Sequence, residues 1–92
     1  MDSPDSPDSP DSLDFLMRET VEMIVKAIVD DAEAVEVREV EQKGTHIIEV
    51  RVAEADMGKI IGRQGRTVRA LRSLVHAAGL KQRRRYVLEI ME

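Results

Sequence analysis

The stretch that decides the fold of this 92-residue chain is Gly58-Lys59-Ile60-Ile61-Gly62-Arg63-Gln64-Gly65-Arg66-Thr67. Its last two glycines flank two long polar residues, and helical patterns lie on either side of them. Because glycine has no Cβ, the chain can turn tightly there and a sugar-phosphate backbone can come close to the main chain. The N–H groups that open the next helix point to the same place, with the positive end of the helix dipole behind them. The pattern predicts a loop that binds phosphate groups.

Two familiar nucleotide loops do not fit this stretch. A Walker loop needs Lys followed by Ser or Thr after its last glycine, but Lys59 follows the first glycine and precedes Ile60. A dinucleotide loop needs three glycines at a different spacing. The alternative that remains is a purely structural turn, and the long polar pair Arg63 and Gln64 favours binding over it.

Charge is segregated along the chain. The formal net charge is −4, yet residues 58–88 carry nine Lys or Arg and no acid. Residues 1–14 carry five Asp and no base, and residues 15–57 carry eleven acids and five bases. Such segregation is typical of a protein that binds a polyanion. The plainer alternative is a solvated charged helix face.

The chain lacks the residues that disulfide-stabilised, metal-binding, catalytic and membrane-spanning proteins require. There is no Cys, and His46 and His76 lie 30 positions apart, so neither a disulfide framework nor a metal-ligand spacing is visible. Nothing pairs the carboxylates with a nucleophile or a cofactor loop, so we expect no enzyme, no catalytic residue, no metal and no cofactor. The apolar runs are too short to span a bilayer and the acidic start is no signal peptide. The sequence therefore predicts a cytoplasmic protein without a membrane partner.

The first twelve residues are three copies of Asp-Ser-Pro followed by Asp-Ser. With almost no apolar side chain, this segment cannot offset the entropy of ordering. We interpret residues 1–12 as a disordered acidic tail that keeps the protein soluble, and residues 13–92 as a single domain. Phosphorylation of the Ser residues, or competition of the Asp residues for the basic face, remain alternatives.

Periodicity predicts six elements in the order helix, strand, strand, helix, helix, strand. They are a helix over 13–29 capped by Ser12, strands near 35–40 and 48–52 joined by a turn at Lys43-Gly44, a short helix over 57–61 capped by Asp56, a helix over 67–78 stopped by Gly79, and a strand over 85–91. Because Val40 is out of phase with Val35 and Val37, we expect a β-bulge near Glu39.

The strands should form one sheet. The first two are close enough in sequence for an antiparallel hairpin, whereas the helical crossover makes the second and the last parallel. The predicted architecture is an α+β two-layer sandwich, a three-stranded mixed sheet with helices on one face. The helix over 67–78 should turn five apolar residues toward the core: Val68, Leu71, Leu74, Val75 and Ala78.

The segment Ile60-Ile61-Gly62-Arg63-Gln64-Gly65 resembles the Ile-Gly-x-x-Gly signature of KH domains, and the element order resembles their bacterial type II form. The resemblance covers residues 13–91. Over this length the chain is similar to small bacterial RNA-binding proteins that consist of one KH domain. It implies a loop that clamps about four nucleotides of single-stranded RNA. It also implies an RNA chaperone or post-transcriptional regulator linked to cell elongation and cell-wall growth.

The resemblance assigns roles by position. It implies that Gly62, Arg63, Gln64 and Gly65 hold phosphates, that Ile60 and Ile61 line a groove for the bases, and that Lys59 and Arg66 supply flanking charge. The charge of Arg69, in the helix that follows the loop, adds to theirs, and Thr67 completes the expected RNA-binding set. It further implies a homodimer, or a heterodimer with a second KH protein. The alternative function is an interaction module that dimerises in this way, with RNA binding secondary. Single-stranded DNA is not excluded.

Composition limits how RNA could be held. With one Phe, one Tyr and no Trp, stacking of bases on aromatic rings is essentially absent. We therefore expect weak, strongly salt-dependent binding with little sequence preference. The run Arg83-Arg84-Arg85 is interpreted as a solvated lead-in to an edge strand, where charge discourages pairing with other chains. Ala77 and Ala78 would suit a dimer interface.

Overall fold

A computed structural model describes residues 10–91, with side chains from residue 15 onward. The elements are α1 (Pro10–Ile28), β1 (Glu36–Gln42), β2 (Thr45–Arg51), α2 (Met57–Ile61), α3 (Arg66–Lys81) and β3 (Arg85–Met91), with short 3-10 turns at Ala32–Ala34, Glu54–Asp56 and Arg63–Gly65. The predicted order of helices and strands is confirmed. Within residues 10–91, no helix is long and apolar enough to cross a membrane.

The first helix starts earlier than predicted. It begins at Pro10, so Ser12 lies inside the helix rather than at its cap. Proline suits the first turn because its missing N–H has no intrahelical partner there and its φ is already helical. Residues 1–9 of the predicted tail lie outside the described residues.

The sheet has the order β1-β2-β3. β1 pairs antiparallel with β2, and β2 pairs parallel with β3, which confirms the mixed sheet. The β1–β2 register runs without a break over seven consecutive pairs, so the predicted bulge near Glu39 is wrong. Val40 is out of phase because it belongs to the other face: it pairs with Ile47, which in turn pairs with Val87. These three residues form an apolar row on the side of the sheet away from the core.

The core lies between the helices and one face of the sheet, as the two-layer architecture requires. Its buried residues come from every main element except β1: Val21 and Val25 of α1, Ile48 and Val50 of β2, Ile60 of α2, Leu71 and Val75 of α3, Tyr86 and Leu88 of β3. Burying each such aliphatic side chain contributes about 1.5–3 kcal/mol. Two of the predicted core residues of α3 are instead exposed, Leu74 and Ala78. They lie beside the stripe of Leu71 and Val75 rather than on it.

The end of α3 also differs from the prediction. The helix continues past Gly79 to Lys81, so Gly79 is not its stop. A Cβ on Gly79 would lie 2.7 Å from the carbonyl oxygen of Arg84 and 2.8 Å from Cδ2 of Tyr86. Glycine is therefore needed because β3 begins in direct contact with the helix. The chain reverses through Arg83, which has a positive φ of 59°.

Candidate nucleic-acid interface

The Gly62–Gly65 loop joins α2 to α3. The N–H of Gly62 donates to the carbonyl of Gly58 at 2.8 Å and closes α2. The N–H of Gly65 donates back to the carbonyl of Gly62 at 3.1 Å. Gln64 and Gly65 both adopt left-handed conformations, with φ of 58° and 72°. Asn, Asp and Gly are the usual residues there, so Gln64 carries some backbone strain.

The two glycines of the loop have different roles. At Gly62, a Cβ would lie 2.7 Å from Cβ of Thr67 and 2.9 Å from the Thr67 nitrogen. Gly62 is therefore required for the loop to pack against the first turn of α3, and the partly buried Thr67 takes part in that packing. At Gly65, a Cβ would meet nothing within 4 Å. The space beside the main chain at Gly65 is thus not filled by other atoms of the domain.

Arg69 binds the loop itself. Its guanidinium donates to the carbonyl of Gln64 at 2.8 Å and to the carbonyl of Gly65 at 3.3 Å. Arg66 donates to the Gln64 side-chain oxygen at 3.4 Å. Arg66 and Arg69, one turn apart on α3, therefore hold Gln64 and Gly65 in place through these hydrogen bonds. They also add positive charge beside the loop. Arg63 is exposed at the tip of the same loop.

Lys59 pairs with Asp30, a contact that the sequence pattern did not predict. Its ammonium donates to the carboxylate of Asp30 in an ion pair. The hydrogen bond to Asp30 raises the pKa of Lys59, with smaller contributions from the charges of Asp30 and Asp56 and a partial offset from desolvation. Lys59 is therefore charged at neutral pH, and its charge is paired with that of Asp30. The two residues are 29 positions apart, so only the tertiary structure brings them together.

The Asp56 side chain holds α2 in place. It is 3% exposed, and its two carboxylate oxygens accept the N–H groups of Asp30 at 3.2 Å and Asp31 at 3.0 Å. Asp56 precedes α2 but makes no side-chain cap to it, so the predicted cap is wrong. The carboxylate binds the turn after α1 because that turn exposes two N–H donors to it. Together with the Lys59–Asp30 pair, this contact fixes α2 against α1.

The two isoleucines before the loop separate into core and surface. Ile60 is 0% exposed and belongs to the core, so its predicted place in a base groove is wrong: a base cannot reach it. Ile61 is 40% exposed and next to Gly62. Adjacent positions on a helix point about 100° apart, which is why one faces the sheet and the other the solvent. Of the two isoleucines, Ile61 presents its apolar side chain to the solvent beside the loop.

Most of the predicted residues are gathered at this end of the molecule. Exposed side chains around the loop are Lys59, Ile61, Arg63, Gln64, Arg66 and Arg69, while Thr67 is partly buried and Ile60 is in the core. Among the described residues, no group of three or more His, Cys, Asp or Glu side chains is placed to hold a metal ion. The site is a cationic surface around an open turn of main chain.

A three-stranded mixed sheet covered by helices on one face, with a Gly-x-x-Gly loop between two of them, defines the chain as a type II KH domain. The chain belongs to the family described as KhpA/KhpB, KH domain, whose profile matches residues 18–90. This membership confirms the resemblance seen in the sequence. It also agrees with the prediction of a protein that is not an enzyme, since the curated relatives are named as RNA-binding proteins.

The chain is similar to several curated proteins over most of its length. It is 51% identical over 75 residues to the RNA-binding protein KhpA of Caldanaerobacter subterraneus subsp. tengcongensis, covering 82% of this chain and 100% of the relative. It is 46% identical over 76 residues to RNA-binding protein KhpA of Aquifex aeolicus, covering 83% and 96%. The protein of the same name from Borreliella burgdorferi is 45% identical over 74 residues, covering 80% and 90%.

One solved structure shares the fold. The chain resembles part of Era from Aquifex aeolicus with a TM-score of 0.57 and 21% identity. The match covers 90% of this chain and 31% of that one. At this identity the likeness shows the fold alone.

Proposed function

We propose that this protein binds single-stranded RNA through the Gly62–Gly65 loop. The observation that carries the proposal is the open main chain at Gly65, where added bulk would meet nothing within 4 Å, next to exposed Arg63 and Arg66. Curated relatives that align over nearly their whole length are named RNA-binding proteins. The charge around the loop has the sign that a phosphate backbone requires.

The geometry suggests how a strand is held. Phosphates contact the main chain at Gly65 and the side chains of Arg63 and Arg66, while a base lies against Ile61. Lys59 can exchange its bond to Asp30 for a bond to a phosphate. Phosphates neutralised by the three cations Arg63, Arg66 and Lys59 predict a slope of log affinity against log salt of about −2 for a single strand. Without aromatic stacking, the affinity depends on these contacts and the sequence preference stays low.

The test is the variant Arg63→Asp/Gln64→Asp, which places two negative charges at the tip of the loop. Aspartate tolerates the left-handed conformation of position 64, so the fold should be kept. The matched control is Lys26→Asp/Ala27→Asp, which changes the charge equally on the exposed surface of α1. Fluorescence anisotropy with a labelled single-stranded RNA of about four nucleotides measures the affinity. We expect loss of binding in the loop variant alone; equal loss in both variants would show that only net charge matters.

The same assay distinguishes RNA from DNA. A deoxyribose oligonucleotide of identical sequence lacks the 2′-hydroxyl, which is the group that lets a protein tell the two apart. We propose RNA as the ligand, and therefore expect the weaker affinity for the DNA strand. Equal affinities would assign the loop to single-stranded nucleic acid in general.

The proposal extends to the cell. We infer a cytoplasmic RNA chaperone or post-transcriptional regulator that acts in cell elongation and cell-wall growth. The support is the KH family membership over residues 18–90. Replacing the chromosomal copy with the Arg63→Asp/Gln64→Asp variant tests the link: cells carrying this variant and cells lacking the gene should both differ in length from the parent strain. Normal cell length in this variant would separate any role in cell shape from RNA binding.

A second candidate function is supported by a groove between α1 and α3. Leu74 is 59% exposed, and the groove is almost wholly apolar; its other lining residues include Met17, Thr20, Ile24 and Ala78. Contiguous apolar surface of this kind is typical of a protein–protein interface. We infer that a second KH protein, either another copy of this chain or a KhpB-like protein, covers the groove.

Sedimentation velocity tests this candidate. Leu74→Lys should convert a dimer to a monomer while leaving thermal stability unchanged, because the side chain is exposed. The control is Leu80→Lys, at a position 61% exposed on the same helix but outside the groove. A monomeric parent protein that also fails to bind a KhpB-like partner would remove the candidate. If cellular activity survives the loop variant but not Leu74→Lys, interaction rather than RNA binding is the main function.

A further inference from the structure

A second group of cations lies at the opposite end of the domain from the loop. The second basic cluster consists of four exposed residues: Lys43, Lys81, Arg83 and Arg85. The strand register brings them together, since Thr45 pairs with both Gln42 and Arg85. Lys43, in the turn between β1 and β2, therefore lies at the same end of the sheet as the start of β3. Lys81 ends α3, and Arg83 belongs to the link from α3 to β3.

The backbone at this cluster is unusual. Across residues 10–91, the residues other than glycine with positive φ are Lys43 at 50°, Gln64 at 58° and Arg83 at 59°. Lys43 occupies the first position of a two-residue hairpin turn, and Arg83 follows the end of α3. Glycine or asparagine is favoured at both kinds of position because a Cβ is disfavoured there. Lys43 and Arg83 stand at positions where glycine would be less strained. Retaining a long cationic side chain despite this strain indicates that the side chain has a function.

The cluster is free of acidic partners in the described part of the chain. Among residues 15–91, whose side chains the structure describes, Lys43, Lys81, Arg83 and Arg85 take part in no ion pair. The acidic side chain nearest in the sheet register, Glu41, lies 4.0 Å from the ring nitrogen of His46. Arg84 is set apart from the cluster because it is partly buried and donates to the Tyr86 hydroxyl at 3.5 Å. Within residues 15–91, the four exposed cations thus attract an anion without an acidic side chain paired to any of them.

The exposed surface of α3 connects the two cationic regions. The helix has 16 residues and is about 24 Å long at 1.5 Å per residue. Arg72 and His76 are exposed along it and border a shallow depression beside β3, together with Val87 and Glu89. Stacked nucleotides advance about 3.4 Å each, so roughly seven of them span this length.

We propose that the second basic cluster is a further phosphate-backbone site, which holds the same single strand of RNA that the Gly62–Gly65 loop clamps. The footprint then grows from about four nucleotides to about eleven. This inference rests on the proposed RNA binding by the loop. Its ligand is the sugar-phosphate backbone, so the site adds affinity and salt dependence but no sequence preference.

The test compares a short and a long RNA on one variant. Lys43→Gly/Arg83→Gly removes two cations and places glycine at both positive-φ positions, so the variant should unfold at a temperature no lower than the parent. The matched control, Lys26→Gln/Arg38→Gln, removes two exposed cations outside both basic regions. Affinity is measured by anisotropy over a series of salt concentrations, with single strands of about four and about twelve nucleotides.

The expected result concerns the long strand alone. For the parent, the long RNA should bind more tightly and with a steeper salt slope than the short one. In Lys43→Gly/Arg83→Gly, the slope for the long RNA should fall by about 1.4, which corresponds to two phosphate contacts. The affinity for the long RNA should drop on the order of tenfold, while the short RNA should bind as it does to the parent.

Each contrary outcome has a definite meaning. If the parent binds the long and the short RNA equally, or if the glycine variant keeps the parent's slope on the long RNA, the second site does not exist. If both variants lose the same affinity, the effect is one of net charge and the proposal is also overturned. If neither RNA binds the parent, the loop function itself has failed, and the second site fails with it.

Discussion

Gly62 and Thr67 are packed so closely that no side chain fits between them. A Cβ built on Gly62 would lie 2.7 Å from Cβ of Thr67 and 2.9 Å from its nitrogen. Gly62 also has φ 76° and ψ 173°, a conformation that is essentially restricted to glycine. The contact fixes the loop against the first turn of α3.

The first prediction is that the two glycines of the loop respond differently to alanine. Gly62→Ala adds both backbone strain and a clash, and should lower the free energy of unfolding by about 3 kcal/mol. Gly65→Ala adds only the strain of φ 72° and should cost about 1 kcal/mol. Urea denaturation measures both values.

The two alanine variants should also differ in RNA binding. Relative to the folding stability that each variant loses, Gly65→Ala should lose more RNA affinity than Gly62→Ala. Gly65→Ala places a methyl group where the strand approaches, so its affinity should fall although the protein stays folded. Equal destabilisation by the two substitutions would contradict the packing of Gly62 against Thr67.

The second prediction concerns the buried carboxylate of Asp56. Asp56→Ala removes both hydrogen bonds to the N–H groups of Asp30 and Asp31 and should cost about 3 kcal/mol in free energy of unfolding. Asp56→Asn keeps one acceptor and should cost about half as much. The control is Glu54→Ala in the same 3-10 turn, where the side chain is exposed and no effect is expected. A cost for Asp56→Ala as small as that of the control would rule out the anchoring of α2.

The third prediction is that Asp30 limits the use of Lys59 in RNA binding. Asp30→Asn removes the competing carboxylate, so the affinity for RNA should rise severalfold at low salt. Lys59→Gln should lower it, and the double variant should behave like Lys59→Gln because no ammonium is left to release. Titration of a short RNA against all three variants checks this. A decrease in affinity for Asp30→Asn would show that the ion pair supports binding instead.

The same pair predicts a dependence on alkaline pH. The pKa of Lys59 is raised above its ordinary value of 10.5 by the hydrogen bond to Asp30. A raised pKa means that the pair contributes stability below about pH 10.5 and loses that contribution as the pH rises through the pKa of the folded state. Thermal unfolding of the parent should therefore show an alkaline decrease that is smaller in Asp30→Asn. Identical alkaline profiles would contradict the raised pKa.

The fourth prediction treats Arg69 as a positioning residue. Its guanidinium binds the carbonyl oxygens of Gln64 and Gly65, so Arg69→Ala should speed amide hydrogen exchange across residues 63–65 and weaken binding of a short RNA. Arg69→Lys should not restore either property, because an ammonium lacks the planar donors that reach both carbonyls. The control is Arg72→Ala, which removes the same charge one turn further along α3. Faster exchange in the control as well would show a general loosening of the helix.

Several features could be predicted from the sequence because they depend on local chemistry. Alternation around Ile48 and Val50 defines a half-buried strand, and two glycines three positions apart define the turn before α3. The acid-free segment from Gly58 to Leu88 indicates a polyanion surface. Predictions of which of two adjacent residues is buried were less successful. For Ile60 and Ile61, the periodic pattern does not say which residue faces the sheet.

The sequence alone determined the order of elements, the mixed sheet and the position of the loop, since each follows from the spacing of apolar residues and glycines along the chain. Only the tertiary structure decided which cations are free to meet a ligand. Lys59 is paired with Asp30 and Arg69 is bound to the loop carbonyls, whereas Lys43 and Arg83 lie exposed at the opposite end. The reason is that charge belongs to a residue, but its availability depends on neighbours that are distant in sequence and adjacent only after folding.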